Sequence, residues 1–207
     1  MQTLKLVAVS AGLSSPSSTR LLADRLLQAA RYKLAEQEYA VDVEVVELRD
    51  LAVDIANNFV TGFPSQKLEA AIDAVTGADG LVAVTPVFTA SYSGLFKSFF
   101  DLIDPAALTG VPVLVAATGG TARHSLVLDH ALRPLFAYLR AQVVPTAVYA
   151  ASEDWGSGGD EYTDGLPSRI TRAGTDLAAA VAARPPRTTD TDEVVPFEQQ
   201  LADLRFD

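Results

Sequence analysis

Apolar residues are distributed along the chain in short runs that alternate with longer stretches in which they recur every three or four positions. The short runs cover residues 4–9, 41–46, 81–84, 112–117 and 143–149. The longer stretches cover residues 21–35, 64–75, 95–103, 125–139 and 167–183. Short apolar runs bounded by turn-forming residues are typical of strands in a parallel sheet, whereas the wider spacing predicts helices. The pattern therefore predicts five strands, each followed by a helix.

This alternation predicts an α/β fold with a doubly wound parallel sheet and helices on both faces, because right-handed crossovers place the helices there. The length of 207 residues fits one domain, which we place at residues 1–184, followed by a tail at residues 185–207. At this size the expected arrangement of the five strands is the flavodoxin-like order 2-1-3-4-5. Residues 49–62 contain asparagines and a glycine that interrupt the pattern, and we predict an irregular loop there that covers a site or a subunit contact.

Composition and charge narrow the range of functions. The net charge is −10, from 26 acidic and 16 basic residues, and the absence of a basic stripe argues against nucleic-acid binding. Because the chain has no cysteine, disulfides, thiolate metal ligands and thiol nucleophiles are excluded. The sequence shows neither a signal-peptide pattern nor an apolar stretch that approaches the roughly 20 residues of a membrane helix. We therefore expect a soluble cytoplasmic protein with no membrane partner.

The loop at residues 10–19, between the first strand and the first helix, is rich in hydroxyl groups. These belong to Ser10, Ser14, Ser15, Ser17, Ser18 and Thr19. A helix needs a single hydroxyl as its N-cap, so this cluster, with the free amides of the helix start, favours a phosphate site. A capped helix with a flexible approach is the alternative. In the order 2-1-3-4-5 the switch point lies between strands one and three, so this loop would face residues 86–94, with residues 118–121 beside them.

The second and third loops combine aromatic rings, hydroxyls and paired glycines. These features belong to Phe88, Tyr92, Ser91, Ser93, Gly119 and Gly120. An aromatic ring can contact a planar ligand, a hydroxyl can bind the edge of a heterocycle, and glycine lets a ring approach the backbone. Each feature also has a structural alternative: core packing for the aromatics, helix capping for the serines and a simple turn for the glycines. Taken together, the three loops favour a flat phosphorylated cofactor.

The same loops carry a resemblance to a known family. The segments TPVFTASYSGLFKSFFD and LTGVPVLVAATGGTARHSLVLDHALRPLF resemble the NAD(P)H-dependent FMN reductases, and the similarity runs from Lys5 to about Val148. The continuation ALRPLFAYLRAQVVPTAVYAASEDWG is similar to actinobacterial members that supply reduced flavin to luciferase-like monooxygenases. One residue departs from the family pattern, since Phe88 stands where tyrosine is common.

The resemblance implies a set of FMN-binding residues. The phosphate would be held by Ser10, Ser17, Ser18 and Thr19. The ring and ribityl chain would be lined by Pro86, Val87, Phe88, Ser91 and Ser93, and the pyrimidine end by Thr118, Gly119 and Gly120. His124 would bond the flavin or an adjoining loop, with a purely structural role as the alternative, and His130 is assigned to structure.

The resemblance also implies hydride transfer from NADPH or NADH to FMN, which is chemistry that the two cofactors supply. We therefore expect no catalytic side chain and no metal. Arg20 and Arg123 are the candidates for local positive charge in this acidic protein. An electron-carrying flavodoxin and a quinone reductase are alternatives on the same fold. A serine hydrolase is disfavoured because the sequence has no GxSxG elbow, and a receiver domain because strand one ends in Ser10 rather than in carboxylates.

We expect a homodimer or homotetramer. The third helix presents Phe96, Phe99, Phe100 and Ile103 within eight residues, whereas a helix on one face of a sheet needs a single apolar stripe. The remaining aromatic side chains would pack on a second subunit. The tail regains apolar residues after Glu193 and offers further surface for a neighbour. From the resemblance, a flavin-dependent monooxygenase is expected as a partner that receives reduced FMN.

Overall fold

The computed structural model describes residues 3–156, 159–160 and 163–185. Its strands are β1 (Thr3–Ser10), β2 (Ala40–Glu47), β3 (Gly80–Phe88), β4 (Ser91–Tyr92), β5 (Pro112–Gly119), β6 (Gln142–Val143), β7 (Val148–Ala151), β8 (Gly159–Asp160) and β9 (Thr163–Asp164). Its α-helices are α1 (Ser18–Ala35), α2 (Ala52–Thr61), α3 (Gln66–Thr76), α4 (Gly94–Phe100), α5 (Arg133–Tyr138) and α6 (Leu166–Ala183). The predicted tail lies, from residue 186 onwards, outside the described residues.

The main sheet has the strand order β2-β1-β3-β5-β6. Strand β6 pairs with the start of β5, and β7 pairs with the end of the same strand. All these pairs are parallel, and this is the predicted flavodoxin-like order 2-1-3-4-5. The fifth position is divided between two short strands, where the apolar run had predicted one continuous strand. Pro145 lies between them and has no N–H to donate, so the pairing with β5 is interrupted there.

The sheet separates two apolar layers. Successive residues of β1 alternate between them, so that Val7 and Val9 join one layer while Leu6 and Ala8 join the other. The first layer contains side chains of α2 to α5, and the second contains those of α1 and α6. Helices on both faces confirm the doubly wound architecture.

The aromatic side chains of α4 and the residues after it are buried within the single chain. Phe96, Phe99, Phe100 and Ile103 are each at most 3% exposed. Phe136 of α5 completes the cluster, with its ring centre 4.9 Å from that of Phe100. The expectation that part of this cluster needs a second subunit is therefore wrong, because helix α5 covers the side that the sheet leaves free. The oligomeric state stays a prediction.

Residues 49–62 do not form an irregular loop. A 3₁₀ turn at Leu48–Leu51 leads into helix α2, which ends at Gly62 with a left-handed φ of 77°. Leu51 and Ile55 are anchored in the core, and this tertiary packing overrides the weak helix propensity of the two asparagines. The outer side of α2 stays apolar and exposed, with Val60 87% exposed.

The fourth helix, predicted at residues 125–139, is divided into two segments and is preceded by a separate turn. A 3₁₀ turn at Ala122–His124 is followed by a π-helical segment at Leu128–Leu132 and then by α5, which carries Pro134 in its first turn. Proline is compatible with that position because the first amides of a helix have no partner within the helix.

Among the described residues, no helix is both long and apolar enough to cross a membrane.

Candidate functional site

A cleft of about 450 Å³ lies at the carboxyl ends of the central strands, where a doubly wound sheet binds its ligands. We call it the switch-point cleft. It is lined by Leu13, Ser14, Ser18, Thr19, Pro86, Val87, Phe88, Thr118, Gly119, Gly120, Ser152 and Trp155. The three loops singled out from the sequence therefore meet in one cavity, and its volume is within the range of small-molecule sites.

The first loop brings Ser18 and Thr19 to the cleft through the start of α1. Ser17 is the N-cap of this helix, and its hydroxyl accepts a hydrogen bond from the amide of Arg20 at 3.2 Å. The serine therefore has the structural role of a cap, and it lines a neighbouring hollow rather than the switch-point cleft. Gly12 makes this turn possible, since a Cβ at that position would lie 2.0 Å from the Ser17 hydroxyl oxygen.

Two hydroxyl groups in the first loop are buried, and one of them, that of Thr19, lines the cleft. Ser10 is fully buried at the end of β1, and its hydroxyl has no hydrogen-bond partner among the described residues. Thr19 is also buried, but its hydroxyl is hydrogen bonded to that of Thr118 at 2.8 Å. A buried hydroxyl without a partner is unfavourable, so the Ser10 oxygen points to a partner that the protein itself does not supply.

The second loop is a hairpin in which β4 returns antiparallel to the end of β3. Its two turn residues, Thr89 and Ala90, have φ values of 49° and 64°. This left-handed geometry suits the twist of a two-residue hairpin, although neither residue is glycine. The hairpin leaves Phe88 46% exposed at the cleft, beside Pro86 and Val87.

The two serines of the second loop lie outside the cleft. Ser93 is buried and caps α4, accepting a hydrogen bond from the amide of Phe96 at 3.1 Å. Its own amide donates to the hydroxyl of Thr85 at 2.9 Å. Ser91 lines a second cavity of about 660 Å³ together with Tyr92. The capping alternative for Ser93 therefore holds in this structure.

The third loop is held by Tyr149 of β7. The tyrosine hydroxyl donates to the carbonyl of Thr121 at 2.7 Å, and a Cβ at Gly119 would lie 2.0 Å from that hydroxyl oxygen. Burial raises the pKa of Tyr149, and the charge of Asp154 raises it further, so the group stays a protonated donor. By contrast, no described atom lies within 4 Å of a Cβ built on Gly120, so this glycine leaves open space at the cleft.

The two histidines lie away from the cleft. His124 is exposed in the 3₁₀ turn after β5 and does not line the switch-point cleft. His130 belongs to the π-helical segment and lines the second cavity. Neither imidazole therefore lines the switch-point cleft, and a contact of His124 with the flavin stays a prediction.

A fourth loop, after β7, was missed by the sequence reading. Ser152 and Trp155 from this loop line the cleft. The available signal was position, since residues that follow the fifth strand end at the same edge of the sheet as the other three loops.

The charges around the cleft are largely paired. Arg20 lies 2.8 Å from Asp24 and also bonds Glu47; the hydrogen bond with Asp24 raises the pKa of the guanidinium. Its charge is therefore neutralised locally, which weakens its candidacy as an anion ligand. Arg49 donates to the carbonyl of Ser14 at 3.1 Å. None of the described lining residues carries an ionisable side chain.

These observations fit a flat phosphorylated cofactor. The cleft has a suitable volume, the Ser10 hydroxyl lacks a partner, and the open space at Gly120 lets a ring approach the backbone. The strand order and the cleft at its switch point define the chain as a flavodoxin-like α/β protein.

The sequence model of the NADPH-dependent FMN reductase family matches residues 4–156, and the chain belongs to this family. The FMN reductase (NADPH) of Pseudomonas aeruginosa is 41% identical over 179 residues, which cover 86% of this chain and 90% of the relative. The NADH-dependent FMN reductase SfnF of Pseudomonas putida is 41% identical over 150 residues, or 72% of this chain and 78% of the relative.

Among solved structures, an oxidoreductase from Corynebacterium diphtheriae superposes with a TM-score of 0.84 and 47% identity, covering 89% of this chain and 100% of that one. Membership of the family confirms the resemblance noted in the sequence. It also confirms the expectation of an NAD(P)H-dependent FMN reductase, with FMN and a nicotinamide nucleotide as its cofactors.

Proposed function

We propose that this protein reduces FMN with NADPH or NADH and releases the reduced flavin to a flavin-dependent monooxygenase in the cytoplasm. The observation that carries the proposal is the lining of the switch-point cleft, in which the described residues offer hydroxyls, backbone and aromatic surface but no ionisable group. A site of this kind can bind and orient two cofactors without adding acid or base chemistry of its own.

In the proposed site, the phosphate of FMN is held by Ser18 and the first amides of α1, with Ser10 and Thr19 beside them. A helix start is a favourable place for a phosphate because its amides are free and its dipole is positive there. Pro86, Val87 and Phe88 line the ring, and Thr118 and Gly120 lie at its pyrimidine end. When bound, FMN supplies the redox chemistry by accepting a hydride from the nicotinamide.

The other expected residues receive indirect roles. We assign Ser17 and Ser93 to capping the helices that carry the site, and Gly119 to close contact with Tyr149. Ser91 reaches the second cavity rather than the flavin. His124 has no assigned contact with FMN in this proposal.

The names of two relatives support the choice of reductants. The name of one relative specifies NADPH and that of another specifies NADH. The experiment below therefore compares both nucleotides. The monooxygenase partner rests on the resemblance to flavin-supplying reductases. We further propose that residues 1–184 form the reductase domain of a homodimer or homotetramer, and that residues 185–207 pack on a partner subunit.

The test is the oxidation of NADPH and of NADH by purified protein, with and without FMN, FAD and riboflavin. The proposal expects oxidation that depends on added flavin, and FMN that is lost on gel filtration. An electron carrier would instead retain FMN and oxidise neither nucleotide at a useful rate. Transfer is tested with a flavin-dependent monooxygenase in a separate dialysis compartment: oxygenation that requires only diffusing reduced FMN supports supply, and its absence contradicts it.

A further inference from the structure

The chain has a single tryptophan, Trp155, and it lies at the switch-point cleft. It ends the 3₁₀ turn Ser152–Trp155 that follows β7. The side chain is half-buried, and it shares the cleft lining with Ser18 and Gly120. An indole at this position gives the cleft a large flat apolar surface on the side of the fifth strand.

The turn that carries Trp155 is fixed by a pair of charged residues. Asp154 accepts a hydrogen bond from the amide of Ala151 at 2.7 Å and another from the guanidinium of Arg169 at 2.5 Å. Arg169, which comes from α6, also donates to the carbonyl of Tyr149 at 2.7 Å. Charge-assisted bonds of this kind are stronger than neutral ones, so the residue next to Trp155 is held from two sides.

A cation lies over the indole. The guanidinium carbon of Arg25 is 5.2 Å from the centre of the Trp155 ring, within the range of a cation–π contact. Arg25 belongs to α1, so the contact holds the ring beside that helix, where Trp155 also packs against the second apolar layer. Phe88 is the second aromatic residue that lines the same cleft.

We propose that Trp155 is an aromatic platform on which the planar heterocycle of a nucleotide cofactor stacks, and that the Arg169–Asp154 pair is its positioning device. Stacking of a base on an aromatic side chain contributes to binding without hydrogen bonds to the heterocycle. The inference rests on the proposed function, since it places a nucleotide cofactor in this cleft. The heterocycle is that of the flavin or that of the nicotinamide nucleotide, and the experiment separates the two.

Trp155 is its own reporter because it is the one tryptophan of the chain. Its fluorescence is measured while FMN, riboflavin and NADPH are each added alone. A ligand that stacks on Trp155 quenches this fluorescence. Trp155→Ala lacks the reporter and is titrated by calorimetry beside the wild type, where the Kd of that ligand should rise about tenfold, which corresponds to about 1.4 kcal/mol. Trp155→Phe restores most of the affinity, whereas Trp155→Leu, which has no ring, does not. For a flavin platform, FMN and riboflavin lose affinity by the same factor.

Tyr32 provides the matched control. It is an exposed aromatic residue whose ring also carries a cation, with Lys33 at 5.6 Å, but it does not line the cleft. Tyr32→Ala is therefore expected to leave every Kd unchanged. If Trp155→Ala folds normally and binds flavin and NADPH as tightly as the wild type does, the inference is overturned. Failure of the wild type to reduce any flavin would instead overturn the proposed function.

The positioning role is tested with Asp154→Asn, which keeps an acceptor for Ala151 but removes the negative charge facing Arg169. We expect a raised KM for the stacked ligand, unchanged kcat and weaker quenching at saturation. A lower melting temperature with unchanged quenching and KM would show that the pair is merely structural.

Discussion

The hydroxyl oxygens of Thr19 and Thr118 lie 2.8 Å apart, and their buried hydrogen bond joins the first turn of α1 to the end of β5. These two residues are 99 positions apart in the chain, and both line the switch-point cleft. The bond therefore fixes the distance between the loop proposed for the phosphate and the loop proposed for the ring.

Removing one of the two hydroxyls should destabilise the protein. Thr118→Val leaves the Thr19 hydroxyl buried without its partner, so we expect the free energy of unfolding to fall by about 1–3 kcal/mol. The double variant Thr19→Val/Thr118→Val should lose less than the sum of the two single changes, because neither hydroxyl is then left unpaired. Urea unfolding of the wild type, the two single variants and the double variant measures the coupling energy between the two hydroxyls. Additive losses of stability would show that the hydroxyls are not coupled.

The two neighbouring glycines should respond differently to the same substitution. Gly119→Ala places a methyl group against the hydroxyl of Tyr149, so we expect a loss of stability that Tyr149→Phe partly relieves. Gly120→Ala meets no described atom and should leave the melting temperature unchanged while it weakens FMN binding. Thermal melting and flavin titration of both variants decide the matter. Unchanged FMN affinity in Gly120→Ala would place the ring elsewhere.

Ser10→Ala should separate ligand binding from stability. Because the Ser10 hydroxyl is buried and has no partner among the described residues, its removal should leave the free energy of unfolding unchanged or raise it. If the hydroxyl bonds the FMN phosphate, the same change should raise the Kd for FMN and spare that for riboflavin, which lacks the phosphate. Ser18→Ala is the companion variant. Equal effects on both flavins would remove the phosphate assignment.

Phe99→Asp should unfold the subunit rather than dissociate an oligomer. Phe99 is fully buried, and an unpaired carboxylate there would lose its solvation. Circular dichroism and expression in soluble form test this, with Tyr138→Asp as the control because Tyr138 is 73% exposed. A folded, soluble Phe99→Asp would contradict the burial. Light scattering of the wild type measures the oligomeric state independently.

The hydroxyl of Tyr149 should contribute stability that is lost at alkaline pH. Its pKa is raised above 10.0 by burial and by Asp154, so the folded state holds this proton more tightly than the unfolded state does. The contribution is full below pH 10 and declines as the pH rises through the folded pKa. The stability advantage of the wild type over Tyr149→Phe, measured by urea unfolding, should therefore shrink above about pH 10. A constant difference would show that the group does not titrate.

Much of the fold follows from the sequence because burial on both faces leaves a strong local signal. The runs that became β1, β3 and β5 are nearly continuous apolar segments, and the right-handed crossover rule then fixes the positions of the helices. Helix α2 was missed because the two asparagines and the glycine in residues 49–62 were interpreted as breakers, although Gly62 only ends the helix and the asparagines lie within it.

The site was predictable at the level of loops but not of side chains. Strand order alone brings residues 10–19, 86–88 and 118–120 to one edge of the sheet. Which way Ser91 and Ser93 turn depends on the hairpin and on the cap of α4, and these are set by hydrogen bonds that no local pattern reveals. The position of Trp155 at the cleft can be predicted only when it is known that β7, the strand before it, ends there.

The hairpin between β3 and β4 defines an opportunity for engineering. Thr89 and Ala90 both adopt left-handed backbone conformations that glycine or asparagine would hold at lower energy, and such replacements commonly gain about 0.5–1 kcal/mol each. A thermostability screen is therefore expected to recover Asn-Gly at these two positions. Because the preceding residue is Phe88 at the cleft, the rate of flavin release from the recovered variants would show whether the conformation of this turn also controls the exchange of flavin.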